Sequence, residues 1–164
     1  MTLDVTTPKG RLSVEQEKKV AKLIEAKWQC VYAHTDKDSP AYVDSVIVRD
    51  GAVKAIAETK CRNATLTQLQ TTYNDEWLIT HEKLVRGQKL AKWLYCEYWG
   101  LLFLVPSGVV MRVRLWVPDM EWITPWRVER TETQATINGG KIVRVNAYIS
   151  MARADILGNV GGEQ

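Results

Sequence analysis

Asp50-Gly51 narrows the fold more than any other feature of the chain. It separates two runs rich in β-branched residues, 42–49 and 52–60. Such a pair between apolar runs is a strong local hairpin signal, because glycine enters the left-handed region at no steric cost. Side chains alternate faces along a strand, so Glu58 and Lys60 point the same way as Ile56. Whether Asp44 joins them depends on the turn. A strict two-residue turn at Asp50-Gly51 pairs Asp44 with Ala57, on the wrong face. A three-residue turn, Arg49-Asp50-Gly51 with a G1 bulge at Gly51, pairs Asp44 with Ile56 and sets it diagonal to Glu58. The glycine makes the second geometry accessible, and Asp44 faces Glu58 and Lys60 only if it forms.

Acids and a lysine on one face of an apolar hairpin admit two explanations. One is an ordinary cross-strand ion pair on a solvated face. The other is chemical: two carboxylates offer hard oxygen ligands to Mg²⁺, which keeps several waters and takes few protein ligands. A lysine beside them can orient or deprotonate a water and offset charge building on a phosphate oxygen. Uncompensated burial of such charges would cost several kcal/mol, on the order of a domain's whole stability margin.

An upstream helix weighs on the choice. Ser13-Val14-Glu15-Gln16 reads as a capping box, with helix continuing to about Trp28. At 100° per residue an apolar stripe centres on Ile24, with Val20 and Trp28 about 40° to either side. Glu17 falls only about 20° from that centre. A glutamate there needs a partner, unless it snorkels out of the first turn, where the helix dipole favours it.

The remaining chain reads as a mixed α/β sheet with helices packed on it. A short strand is expected at Cys30–Ala33, then a loop at His34–Pro40. Helices are expected from Thr65 to about Trp77 and from Lys83 to about Trp93. Trp99–Val105 and Val109–Val117 form a second hairpin around Pro106-Ser107-Gly108, and Ile142–Ile149 a late strand after the turn at 138–140. Residues 1–12 read as a flexible lead-in, 13–157 as one domain and 158–164 as a flexible tail. The Trp-rich, charged segment 118–130 reads as a loop or arm.

A leading-helix Glu, then Asp, then Glu-x-Lys across a hairpin resembles the PD-(D/E)XK nuclease superfamily. The resemblance covers roughly residues 13–117. It is carried by Glu17-Lys18-Lys19-Val20-Ala21, by the run from Asp44 to Gly51, and by Ala57-Glu58-Thr59-Lys60-Cys61-Arg62. Val43 stands where the superfamily often has proline. The resemblance implies a restriction-endonuclease-like αβββαβ core. It also implies Mg²⁺-dependent hydrolysis of DNA phosphodiester bonds, with Mn²⁺ able to substitute and no organic cofactor. By it, Asp44, Glu58 and Glu17 would be metal ligands and Lys60 the catalytic lysine. Some relatives carry a Gln on the following helix, which makes Gln68 a candidate for lining the site. Assembly as a homo-oligomer is compatible with it.

Arg62, Lys83, Arg86 and Lys89 cluster after the motif and are candidates for contacting the DNA backbone, although a charged helix face is commonly just solvated. The two histidines, His34 and His81, fall in expected loops and receive no role. The net charge of +3 permits a polyanionic partner without requiring one. Cys30, Cys61 and Cys96 are scattered and lack paired zinc spacing, which suits reduced thiols. The start of the chain has no apolar signal region, and Trp99–Pro106 is too short to span a membrane; the expectation is a soluble cytoplasmic protein. Compactness favours a phage or mobile-element recombination or repair nuclease. The competing reading is a catalytically idle member of the same fold that binds DNA or another protein.

Overall fold

A computed structural model describes residues 8–35, 41–136 and 139–160. Helix α1 (Pro8–Trp28) is followed by β1 (Val31–His34), β2 (Ser45–Arg49) and β3 (Ala52–Arg62). Then come α2 (Leu66–Thr71), β4 (Glu76–Thr80), α3 (His81–Leu94), β5 (Glu97–Leu104) and β6 (Val109–Val117). The chain closes with β7 (Glu121–Trp122), β8 (Trp126–Thr136), β9 (Gly139–Ser150) and β10 (Asp155–Asn159).

The main sheet runs β1-β2-β3-β5-β6-β10, with β7 on β6, and a second sheet runs β4-β9-β8. β3 and β5 are parallel and the other pairs antiparallel. The parallel pair needs a crossover, and α2, β4 and α3 supply it. The αβββαβ order and the mixed α/β class are therefore as the sequence indicated.

Two apolar layers sandwich the main sheet. Val20, Ala21 and Ile24 of α1 pack with Ala55, Ala57, Trp99 and Leu101 on one face. Leu84 and Ala91 of α3, with Trp77 and Ile149 of the second sheet, pack with Ile56, Tyr98 and Leu102 on the other. Alternation along β3 thus turns the odd-numbered residues 55–61 toward α1 and the even-numbered ones toward α3.

Several expectations are corrected. Helix α1 begins at Pro8 rather than near Ser13, so the segment given to a lead-in is partly helical; proline's fixed φ suits a first helical turn. The expected helix from Thr65 ends at Thr71, because Asn74 and Asp75 take φ of 54° and 56° and break it. Glu76–Thr80 is instead a strand, burying Trp77 and Ile79 alternately. Segment 118–130 contains β7 and the start of β8, whose ladder with β9 runs from Trp126↔Ile149 to Thr136↔Gly139. Gly158 and Asn159, assigned to the tail, belong to β10, where a Cβ on Gly158 would stand 3.1 Å from Leu23 of α1. The expectations for 1–7, 36–40, 137–138 and 161–164 lie outside the described residues. Among the described residues no helix is long and apolar enough to cross a membrane.

Candidate active site

The β2–β3 hairpin sets the site. Its turn is the two-residue kind: Arg49 pairs with Ala52, and Asp50 and Gly51 take φ of 52° and 73°. Both residues tolerate the left-handed region, which the primed hairpin turns require. The three-residue turn with its bulge at Gly51 is therefore not formed. The irregularity sits farther up, where the ladder passes from Val48↔Val53 to Ile47↔Ala55 and leaves Lys54 as an extra residue on β3. The pairing then continues to Ser45↔Ala57. The ladder ends there, with Asp44 just before its last pair and Glu58 just after it. The Thr59 amide donates to Asp44 Oδ2 at 2.8 Å, and the Asp44 amide to the Ala57 carbonyl at 3.0 Å.

Glu58 is fully buried. Its Oε1 lies 3.1 Å from Lys60 Nζ and 2.7 Å from Lys83 Nζ. Its Oε2 is buried without a hydrogen-bond partner among the described residues. Burial alone would lower the Lys83 ammonium, but the Glu58 and Asp44 carboxylates outweigh it and hold it above the usual lysine range. Tyr98, fully buried beneath α3, is pushed well up by burial and then by the same two acids. The Tyr98 hydroxyl donates to the Lys83 carbonyl at 3.4 Å. Helix α3 approaches this ring because residue 87 is glycine: a Cβ there would overlap the hydroxyl-bearing edge of Tyr98.

Lys83 was expected on a DNA-contacting rim, and the structure corrects that by seating it against Glu58. A signal for this was present. A cation in the first turn of a helix is opposed by the dipole, so a lysine there calls for an anion nearby.

Glu17 is nearly buried on α1, as its place in the apolar stripe implied. Its Oε1 accepts from the Tyr32 hydroxyl at 3.1 Å and lies 3.3 Å from His34 Nδ1. Tyr32 in turn meets the Thr59 hydroxyl at 2.9 Å. Thr59 and Glu17 belong to the α1 face of the sheet, whereas Glu58 and Lys60 belong to the α3 face. Among the described residues, no three of the His, Cys, Asp and Glu side chains converge closely enough to form a metal-holding group. Glu17 is therefore not gathered with Asp44 and Glu58 into one ligand set. His34, given no role and placed in a loop, ends β1 and is part of the Glu17 cluster. Strand alternation could have found it, since Tyr32 and His34 share a face.

Gln68 does not line the site. Its side chain accepts from the Thr65 amide while its amide donates to Thr65 Oγ1, closing a capping box on α2. Arg62 is turned inward rather than toward a rim, beside Leu69 and Tyr73 in a small cavity, and donates to the Leu78 carbonyl at 3.4 Å. Burial holds its guanidinium below the usual arginine range. Arg86 and Lys89 are exposed on α3, where Arg86 pairs with Glu82 at 2.6 Å.

The donor set suits one divalent cation held by few protein ligands. A buried carboxylate oxygen without a donor is costly unless something fills its lone pair, and Glu58 Oε2 is such an atom, on the residue before the Thr59 amide that holds Asp44. The neighbouring ammonium groups would face the anionic side of a phosphate ligand.

Residues 10–104, more than half of the chain, match the family model described as "Phage putative PDDEXK endonuclease". That span contains Glu17, Asp44, Glu58, Lys60 and Lys83. No curated protein matches the chain.

Proposed function

The chain belongs to this family of PD-(D/E)XK nucleases, and from that premise we propose that it is a metal-dependent deoxyribonuclease acting at Asp44, Glu58 and Lys60. The observation that carries the reading is the buried Glu58 carboxylate. Two lysines engage one oxygen, the other oxygen lacks a donor, and Asp44 is anchored on the next residue's amide, Thr59.

In this reading Asp44 and Glu58 Oε2 hold Mg²⁺, or Mn²⁺ in its place. Such an ion, when bound, polarises the phosphodiester and lowers the pKa of water at the site. Lys60 and Lys83 fix the Glu58 carboxylate through Oε1. Lys60 keeps a quarter of its side chain exposed, so a substrate phosphate can reach it. Its ammonium then offsets charge on the phosphoryl oxygens as water adds to phosphorus and one P–O bond breaks. Glu17, Tyr32 and Thr59 act from the other face by fixing β3, whose Thr59 amide anchors Asp44. DNA is the substrate and phage recombination or repair the setting, a role resting on the family's phage description.

A second reading is favoured by one observation. Two ammonium groups already neutralise Glu58 Oε1, and no third acid joins Asp44 and Glu58 among the described residues. A nuclease-fold subunit that binds DNA without cutting it would have such a site. Linear, circular, single-stranded and branched DNA incubated with Mg²⁺ or Mn²⁺, with and without chelator, separates the two. Cleavage that is lost with chelator and in Asp44→Ala supports the nuclease. No cleavage at any dose, an undiminished rate in Asp44→Ala, or no Mn²⁺ binding by calorimetry sinks it.

A further inference from the structure

Trp93 is 88% exposed, more than any other large apolar residue among those described, while the other six tryptophans are buried or half-buried. It sits in the last turn of α3. At 100° per residue, Arg86, Lys89 and Trp93 fall within about 60° of one another on that helix. Lys83, which touches Glu58, begins the adjacent flank. From Lys83 to Trp93 the helix rises about 15 Å.

Lys89 and Lys92 are exposed, and neither has a carboxylate at ion-pair distance among the described residues. Arg86 shares its charge with Glu82 and lies 5.8 Å from the Tyr42 ring centroid. Just beyond Trp93 the helix ends in a left-handed residue, Tyr95, at φ 52° and ψ 53°. Glycine is the usual occupant of that position, because a bulky side chain resists it. The 67% exposed Tyr95 is nonetheless held there, its hydroxyl donating to Asp119 Oδ2 at 2.5 Å. The chain thus accepts backbone strain at a point where it presents a second ring to solvent.

We infer that this face of α3 is a track for a single-stranded segment of nucleic acid leading to the Glu58 site. Phosphates lie on Arg86 and Lys89, and an unpaired base stacks on Trp93. Positive groups spaced along a groove with an open aromatic face are what sequence-tolerant single-strand binding uses. Bases of an intact duplex are stacked on one another and do not offer a face to a tryptophan. A second copy of the chain fits less well, since a two-fold contact would set this basic face against its own copy. The inference rests on the nuclease reading and narrows it to substrates with an unpaired strand, such as overhangs, flaps or gaps.

The test measures binding in chelator, so that nothing is cut, with an oligothymidylate and a blunt duplex of equal length. Cleavage by the wild type in Mg²⁺ is assayed in parallel on a blunt duplex, on the same duplex with an overhang and on the single strand. Trp93→Ala is expected to lower the ratio of single-strand to duplex affinity about tenfold or more, and Trp93→Phe to keep most of it. Binding of the single strand should also shield Trp93 from iodide quenching. An unchanged ratio in Trp93→Ala overturns the inference, as does a wild-type dimer that Trp93→Ala dissociates. If the wild type cleaves DNA and the ratio is unchanged, only the track falls. If it neither binds nor cleaves DNA, the nuclease reading falls and takes the track with it.

Discussion

Lys83 Nζ stands 2.7 Å from Glu58 Oε1, closer than Lys60, which shares a strand with that glutamate and reaches it at 3.1 Å. The contact joins α3 to β3 across 25 positions of sequence. It makes the carboxylate's surroundings a property of the crossover as well as of the hairpin.

Removing one partner from a buried ion pair leaves an uncompensated charge, at a cost of about 3–5 kcal/mol when both groups are fully buried. Lys83 is 31% exposed, so Lys83→Ala should cost less, about 2 kcal/mol. Denaturant unfolding of Lys83→Ala, Glu58→Gln and the double variant checks this. The double variant should lose less than the sum of the single ones. Strict additivity would mean that the two side chains do not interact in solution.

Activity should fall unevenly across the four acids and lysines named from the sequence. Asp44→Ala and Glu58→Gln are expected to lose at least about a hundredfold in kcat, comparable to removal of one transition-state stabilising group. Glu17→Gln, which acts through Tyr32 and Thr59 from the opposite face, should lose about tenfold and retain the metal affinity of the wild type. Manganese titration by calorimetry is the discriminating measurement. A Glu17→Gln protein with the metal affinity of Asp44→Ala would place Glu17 among the ligands after all.

Gly87→Ala should displace α3 from β5. The added Cβ meets a Tyr98 ring that is itself fully buried, and overpacking of this kind costs about 1–3 kcal/mol. Because the same helix carries Lys83, metal-dependent cleavage should fall along with the melting temperature. Loss of stability with unimpaired cleavage would show that the position of α3 is not important to the site.

Cys61 reports on the α1 face, and Cys96, in the layer on the other face, is its control. Burial first, and then the Glu17 charge, push Cys61 up to about 12, and burial followed by Glu97 pushes Cys96 up to about 11. Both pKa values are raised on folding, so their contribution to stability is complete below the ordinary thiol value. It is lost as pH climbs through that value toward 11 and 12. Unfolding free energy should therefore decline over that alkaline window. At pH 8 both thiols should resist alkylation in the folded protein. Glu17→Gln should speed the reaction of Cys61 and leave Cys96 unaffected, as followed by mass spectrometry of alkylated peptides. Equal acceleration at both would contradict the assignment of Glu17 and Cys61 to one face.

The hairpin, the leading helix and the αβββαβ order could be read from sequence because each rests on a local pattern. Asp50-Gly51 specifies its turn by itself, and Val20, Ile24 and Glu17 mark one helical face. The site was legible as a set of residue types but not as an arrangement. A bulge at Lys54 sets the end of the ladder at Ser45↔Ala57, where Asp44 is tied to Ala57 and Thr59, and no local signal marks that placement. The side of the sheet on which Glu17 arrives depends on where α1 packs. Gln68 is drawn away from the site by its own local chemistry: Thr65-x-x-Gln68 is a capping box, which also marks where the helix starts. The strand at Glu76–Thr80 did carry a signal, the alternation of Trp77 and Ile79, which was hidden by the helix expected across it.

The extra residue in β3 has a consequence for changes in chain length. Beyond the bulge, β3 is fixed by its parallel neighbour from Ala55↔Glu97 to Arg62↔Leu104, and Lys54 is exposed. Excising Lys54 would leave a regular ladder with Ser45 still opposite Ala57, because the bulge absorbs the very residue removed. Inserting a residue between Ala55 and Glu58 would instead turn the acid to the other face. The chain thus tolerates a deletion near the tip of the hairpin and not an insertion a few positions on. Cleavage assays on the two length variants would reveal that asymmetry without altering any side chain of the site.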